Sequence, residues 1–137
     1  MASRVKGLGW KVVLAVAAIS AAGAGEAYAA SCKQADLKGD WLVELSTEAV
    51  CDFKIDKSGS FKNAPCRPQR GSGVRGTATG KLTVDSRCKV GGTMAFKQKS
   101  EPTLNISVKA SLNKSKDLIS GKATSKFGSA TFKGFLQ

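Results

Sequence analysis

Apolar and polar residues alternate along most of the chain beyond residue 40, and this period of two is typical of β-strands that bury one face. The clearest run extends from Leu104 to Leu112, where single polar residues separate the apolar ones. Apolar residues at helical spacing are hard to find in the same region. The pattern predicts about eight strands joined by short, sequential connections.

Consecutive hairpin-linked strands with one apolar face each can bury those faces by curling into a closed barrel. The sequence therefore predicts an all-β fold, a small eight-stranded antiparallel up-and-down β-barrel. A two-sheet sandwich is the alternative, but its Greek-key crossings need longer connections than those seen here. The longest predicted connections are Arg67 to Gly73 and Gln98 to Thr103. Glycines inside the strands are expected to mark bends or bulges of a tightly curved wall.

The hairpin around Ser58-Gly59 has two possible registers. A two-residue turn sets Cys51 directly opposite Cys66, within reach of a disulfide. A three-residue turn with the glycine in the left-handed conformation fits the apolar pattern better, because it sets Phe61 beside another inward-facing residue. A bulge near Pro65 would satisfy both registers.

Two later turns are predicted from the same alternation. A three-residue turn over Asp85-Ser86-Arg87 would pair Val84 with Cys88 and give both flanking strands the same inner face. Gly128-Ser129 would form the last turn, with Phe127 still inside the strand before it. The final strand then continues to the end of the chain.

Residues 1–29 resemble a secretory signal peptide. Three basic residues precede an 11-residue apolar run from Val12 to Ala22, and Ala27-Tyr28-Ala29 offers an A-x-A cleavage site. The run is shorter than the roughly 20 residues that a membrane-spanning helix needs, so no stable membrane insertion is expected. The prediction is a periplasmic or secreted protein whose single barrel domain comprises residues 30–137.

The four cysteines all lie in the exported part, where an even number favours two disulfides with three possible connectivities. The favoured pairs are Cys51 with Cys66 and Cys32 with Cys88. Zinc is the competing interpretation, but no C-x-x-C spacing occurs and the chain has no histidine. A lipid anchor on Cys32 is a further alternative, although Ala29-Ala30-Ser31 is a poor match to the usual Leu-rich box.

Catalytic chemistry finds little support in the sequence. The absence of histidine excludes a Ser-His-Asp triad, a Cys-His pair and an imidazole metal site. Asp52 and Asp56 flank Lys54 on a predicted outer face, a pattern that is more often solvated than catalytic. We therefore expect a protein that is not an enzyme and that holds no metal and no cofactor.

The net charge is +12, and removal of three basic residues and Glu26 with the signal peptide lowers it to +10. A positive wall favours acidic partners such as lipopolysaccharide or nucleic acid, but lysines on exposed strands also serve solubility and block edge pairing. Nucleic-acid barrels usually expose aromatic residues for base stacking. Here Trp41, Phe53, Phe61, Phe96, Phe127 and Phe132 are predicted to face inward, which leaves Phe135 outside. The lysines predicted to face outward are Lys54, Lys81, Lys89, Lys97, Lys109, Lys122, Lys126 and Lys133.

Gly39 and Trp41 form a Gly-x-Trp motif at the entry to the first strand, which resembles that of lipocalins, avidins and related calycin barrels. The stretch from Ala35 to Trp41, the Cys-Asp-Phe-Lys-Ile run that begins at Cys51, and Cys66 are more specific. Together they resemble the small periplasmic inhibitors of bacterial serralysin-type zinc metalloproteases, over about residues 30–84. The resemblance implies that Cys66 forms a disulfide with Cys51, which would be the single disulfide of that family.

The protein is expected to be a monomer, and the resemblance implies that it inhibits a secreted metalloprotease by inserting its N-terminal arm into the protease cleft. In this sequence the corresponding arm is Ala30 to Gln34, and the resemblance implies that Ala30 or Ser31 lies nearest the catalytic zinc of the protease. Two other functions stay open. One is a barrel that holds a small apolar ligand near Trp41, although eight strands in 108 residues are expected to leave little lumen. The other is a basic module that binds acidic polymers.

Overall fold

Eight antiparallel strands close into one barrel in the computed structural model, which describes residues 31–71 and 75–137. The predicted signal peptide, residues 1–29, and the arm residue Ala30 lie outside the described residues. The barrel and the short arm before it form one unit, Cys32–Gln137. A 3-10 turn, Gln34–Leu37, precedes the strands. The strands are β1 (Gly39–Leu45), β2 (Ala49–Ile55), β3 (Ser60–Pro68), β4 (Gly76–Val84), β5 (Lys89–Lys97), β6 (Leu104–Leu112), β7 (Leu118–Ser125) and β8 (Gly128–Leu136).

Closure of the barrel depends on the pairing of the last strand with the first. Each strand pairs with the next one in sequence, and β8 pairs back with β1, so that Trp41 lies opposite Leu136. The prediction of an eight-stranded up-and-down barrel is therefore confirmed. Among the described residues, no helix is both long enough and apolar enough to cross a membrane.

The apolar residues of the alternating pattern point inward and form the core of the barrel. Leu37 and Trp41 are fully buried, and the rings of Phe53 and Phe61 stack at a centroid distance of 4.5 Å. In residues 31–71 and 75–137, no charged or polar side chain is buried. The eight lysines predicted to face outward are all exposed, whereas the outer face of β1 exposes the carboxylates Asp40 and Glu44.

The β2–β3 hairpin combines both of the registers that the sequence allowed. The backbone N–H of Asp56 donates to the carbonyl of Ser60 at 3.0 Å, and Gly59 has a φ of 90°, as a three-residue turn requires. Farther from the turn, Cys51 nevertheless pairs directly with Cys66. One strand must therefore contain an extra residue between these two points.

The extra residue lies at Asn63, where φ is 51° and the pairing of β3 with β4 shifts between Phe61 and Ala64. A bulge near Pro65 was predicted, and the actual bulge lies two residues earlier. Asparagine is one of the few residues other than glycine that adopt the left-handed conformation readily, which explains the position.

The predicted pairing of Val84 with Cys88 is wrong by two residues, because Val84 pairs with Val90. Cys88 has a φ of 66° and belongs to the turn, which the backbone bond from Asp85 N–H to the Lys89 carbonyl closes at 3.0 Å. A shift of two residues preserves the side-chain alternation, so the inward faces of both strands remain those predicted.

The last turn also differs from the prediction. Ser125 pairs with Gly128, so the two turn residues are Lys126 and Phe127. The Phe127 N–H donates to the hydroxyl of Ser125 at 3.1 Å, which holds the phenyl ring outside the strand with 80% of its surface exposed. Of the aromatic residues predicted to face inward, Phe127 is the one that does not; Phe135 is partly exposed, as predicted.

Both predicted disulfides are present. Cys32 is bonded to Cys88 and Cys51 to Cys66, and no cysteine among the described residues is free. Cys51–Cys66 links neighbouring strands, whereas Cys32–Cys88 ties the N-terminal arm to the β4–β5 turn. Such bridges are typical of proteins in an oxidising, extracellular environment.

Gly121 allows β6 and β7 to approach closely, since a methyl group there would overlap the Lys109 carbonyl and the side chain of Ala110. We expect Gly121→Ala to lower the free energy of unfolding by about 1–3 kcal/mol. Gly91 is the matched control, because a methyl group there meets only the Val108 carbonyl at 3.8 Å. Urea unfolding should show a change below about 1 kcal/mol for Gly91→Ala. Equal effects of the two substitutions would contradict this role of Gly121.

Candidate functional site

The barrel contains an open cavity of about 640 Å³, which occupies the lumen and reaches one end of the molecule. Four strand connections surround its mouth: β1–β2, β3–β4, β5–β6 and β7–β8. The expectation that little lumen would remain is wrong. Small residues at lining positions, including Ala49, Ala78, Ala123 and Gly134, leave the space that larger side chains would fill.

The walls of the lumen are apolar over their whole depth. Large apolar side chains contribute most of the lining, and those towards the closed end, including Trp41 and Phe53, are almost completely buried, so the accessible space lies nearer the mouth. The indole Nε1 of Trp41 donates to the Leu37 carbonyl at 2.9 Å, so this donor is already used. The other large lining residues are Val43, Leu45, Ile55, Leu82, Met94, Phe96, Leu104, Ile106, Val108, Ile119 and Phe132.

The polar side chains that line the lumen are confined to its mouth. Thr47 and Glu48 belong to the β1–β2 connection, Arg70 to the β3–β4 connection and Gln98 to the β5–β6 connection. Phe127 completes this rim, and the ammonium of its neighbour Lys126 lies 5.2 Å from the ring centroid. A molecule in the lumen would therefore meet apolar groups along its length and polar groups only at the rim.

The opposite end is closed by the entry into the first strand. Leu37 is fully buried in the core that seals this end. Gly39 has a φ of 141°, and a methyl group on it would lie 2.6 Å from Leu136 Cδ1, so a side chain there would be strained and crowded. The predicted Gly39 and Trp41 pair thus shapes the closed end and the lower wall of the lumen.

The N-terminal arm is fixed to this closed end by covalent and hydrogen bonds. Cys32 is bonded to Cys88. The amide nitrogen of the Gln34 side chain donates to the carbonyls of Ser58 and Leu82, at 2.9 and 2.8 Å. Its amide oxygen accepts the backbone N–H of Val84 at 3.0 Å. Sequence analysis missed this role of Gln34, because its partners are 24 to 50 residues away along the chain.

The arm residues predicted to reach the protease are only partly described. Ser31 is exposed, and Ala30 lies outside the described residues. Immediately after them, the Asp36 carboxylate accepts the backbone N–H of Lys33 at 2.8 Å and lies 3.2 Å from the Lys116 ammonium. Residues from Cys32 onwards therefore form a rigid base for whatever precedes them.

The hydrogen bond from the Lys33 N–H is the main reason why the pKa of the Asp36 carboxyl lies below its usual value of 3.8. Partial burial acts in the opposite direction, and the Lys116 ammonium lowers the pKa further. The carboxylate is thus stabilised at the point where the arm joins the barrel.

The acidic and cysteine side chains of the described residues form no metal-binding cluster. No three of the Cys, Asp and Glu side chains in residues 31–71 and 75–137 come together as a cation site. Asp52 pairs with Arg67 at 2.6 Å on the exposed outer wall, where both side chains are about half exposed. The lumen and the arm are therefore the candidate functional regions of this barrel.

Because the pKa of Asp36 is lower in the folded state, its ionised form contributes stability above the ordinary pKa near 3.8, and this contribution is lost as the pH falls through the folded value. We expect Asp36→Asn to be less stable than the wild type at pH 7, and the difference to shrink in acid. Urea unfolding of the wild type and of Asp36→Asn, at neutral and at acidic pH, measures this difference in the free energy of unfolding. A difference that is independent of pH would contradict the ionic contribution.

Comparisons with protein-family models, curated proteins and solved structures found no match to this chain. The resemblance to metalloprotease inhibitors therefore stays a prediction, and functional interpretation rests on the lumen and the arm.

Proposed function

We propose that this protein is an exported, non-enzymatic binding protein that holds a small apolar molecule in the barrel lumen. The observation that supports this proposal best is the cavity of about 640 Å³, open at one end and lined almost entirely by apolar side chains. Its volume lies within the range of about 300–1,000 Å³ that is common for small-molecule sites. Transfer of an apolar ligand from water to these walls is the driving force for binding.

The cavity is available without rearrangement of the backbone. Every strand is hydrogen-bonded to two neighbours, and the Cys51–Cys66 disulfide lines the lumen while it links β2 to β3. A site that is already formed spends little of its binding free energy on ordering the protein. Binding therefore needs only displacement of solvent from the lumen.

The proposed location is the periplasm or the extracellular space, reached by way of the signal peptide at residues 1–29. The two disulfides support an oxidising compartment, because reducing conditions in the cytosol disfavour such bridges. Mass spectrometry of the exported protein, with and without reductant, would identify its first residue and test both disulfides.

Filling the lumen should weaken ligand binding. Ala123 lines the cavity, so the phenyl group of Ala123→Phe would occupy ligand space. Ala95 is the matched control, because it alternates with the lumen residues Met94 and Phe96 and faces outward. We expect an apolar fluorescent probe to bind at least about tenfold more weakly to Ala123→Phe, and Ala95→Phe to bind like the wild type.

Trp41 provides an internal reporter for this experiment, because it lines the lumen and is the only tryptophan after residue 29. Circular dichroism and thermal unfolding would establish that both variants retain the barrel. Failure of apolar probes to change Trp41 emission in the wild type, or equal binding by Ala123→Phe, would refute the lumen as the binding site.

Inhibition of a secreted metalloprotease through the N-terminal arm is a second candidate function. The supporting observation is the fixation of the arm by the Cys32–Cys88 bridge and by the three hydrogen bonds of Gln34. A short segment that extends from a rigid base loses little conformational freedom when it enters a cleft. The proposed inhibitory residues are Ala30 and Ser31.

Removal of Ala30 and Ser31 should abolish inhibition of a serralysin-type metalloprotease and leave the thermal midpoint unchanged. Gln34→Ala should weaken inhibition and also lower the free energy of unfolding by about 1–3 kcal/mol, because it leaves partly buried backbone groups without partners. Protease assays against both variants and the lumen variant Ala123→Phe separate the two functions. Full inhibition by the truncated protein would eliminate the arm mechanism.

A further inference from the structure

We propose that the ligand of the lumen is a single-chain amphiphile with an anionic head, whose apolar chain fills the cavity and whose head stays at the mouth beside Arg70. This inference rests on the proposed binding function and specifies the chemistry of the ligand. It is derived from the position of polar groups along the lumen and from the charges around its rim.

A polar head has no partner inside the lumen. Below the rim the lining is apolar, and the one donor there, Trp41 Nε1, is bonded to the Leu37 carbonyl. Burial of an unpaired charge in such surroundings is strongly unfavourable. Since the opposite end is sealed around Leu37, the head of a bound amphiphile must remain at the mouth.

The mouth carries an excess of positive charge. Its four connections contain four cationic side chains and two carboxylates. Arg70 and Glu48 line the lumen directly, and both side chains lie in contact with solvent. The cations are Arg70, Arg75, Lys99 and Lys126, and the carboxylates are Glu48 and Glu101.

The cations at the mouth are not neutralised by close carboxylates. Within residues 31–71 and 75–137, the two ion pairs are Arg67 with Asp52 and Lys116 with Asp36, and neither includes a residue of the rim. The guanidinium of Arg70 is thus available to an oxygen-rich anionic head, which its planar donors match well.

At the closed end, unlike at the mouth, carboxylates form hydrogen bonds within the turns. Asp56 and Asp85 accept backbone N–H groups of their own turns, so these carboxylates stabilise local structure. Arg87 lies in one of these turns, is exposed like Arg70, and is at the opposite end from the mouth. It therefore serves as a matched control for the effect of total charge.

Phe127 is a further rim residue that suits a ligand with an apolar chain and an anionic head. Its ring is 80% exposed and lies on the rim of the lumen, next to the Lys126 ammonium. An amphiphile that enters the lumen would pass its first methylene groups across this ring and place its anionic head near the ammonium. The pair of residues thus offers an apolar and a cationic contact at the boundary where the ligand changes from chain to head.

The test uses three probes with the same chain and different heads: dodecyl phosphate, dodecanol and dodecyltrimethylammonium, the two ionic probes below their micelle concentrations and the alcohol below its solubility limit. Binding is followed by Trp41 emission. We expect the phosphate to bind at least about fivefold more tightly than the alcohol, and the cationic probe to bind most weakly. Added salt should reduce the preference for the phosphate and leave binding of the alcohol nearly unchanged.

Arg70→Glu should remove the preference for the phosphate over the alcohol, whereas Arg87→Glu should retain it. Glu48→Gln should increase the preference, because it removes a carboxylate from the rim. Equal affinities for the three heads, or an unchanged preference in Arg70→Glu, would overturn the inference and leave the lumen as a general apolar site. Failure of all three probes to bind would instead refute the proposed function itself.

Discussion

Pairing of β8 with β1 is the interaction on which the rest of the molecule depends. With it, each strand has two neighbours, and the wall of the barrel is a continuous ring of backbone hydrogen bonds. Such a wall has no exposed edge, and the packed core towards the closed end supports it. This explains how a small domain can keep a lumen of about 640 Å³ open while its outer surface carries many lysines.

The two ends of the barrel serve different purposes. At the closed end, Gln34 and the Cys32–Cys88 bridge attach the arm, and aspartates satisfy the backbone of the turns. At the open end the connections leave the mouth accessible, with Arg70, Glu48 and Phe127 on the rim. Ligand binding and protease inhibition would therefore use opposite ends of one molecule, so the two candidate functions do not compete for the same residues.

Rigidity is the property that both candidate functions require. A ligand site gains affinity when its walls are already in place, and an inhibitory arm gains affinity when its base is fixed. Cys51–Cys66 supports the wall of the lumen, while Cys32–Cys88 supports the arm. Each disulfide thus stabilises the element that one of the two functions needs.

Alternation of apolar and polar residues was enough to predict the number of strands and the closed barrel, whereas the pairing of Cys51 with Cys66 was predicted from the position of the Ser58-Gly59 turn. These features follow from the sequence because side chains on a strand point to opposite faces with a fixed period of two. The pairing registers of neighbouring strands were predicted less accurately. The left-handed residue Cys88 moved the β4–β5 pairing by two positions, and the Ser125 hydroxyl held Phe127 in the last turn.

The sequence by itself determined the fold class and the inward and outward faces of most strands, and it favoured the two disulfide pairs that the structure contains. Only the tertiary structure decided that the lumen is open, that Gln34 fixes the arm, and that Arg70, Glu48 and Phe127 meet at one rim. The physical reason is that empty volume and contacts between residues far apart in the chain depend on strand register and closure. Local alternation, by contrast, depends only on the geometry of a single strand.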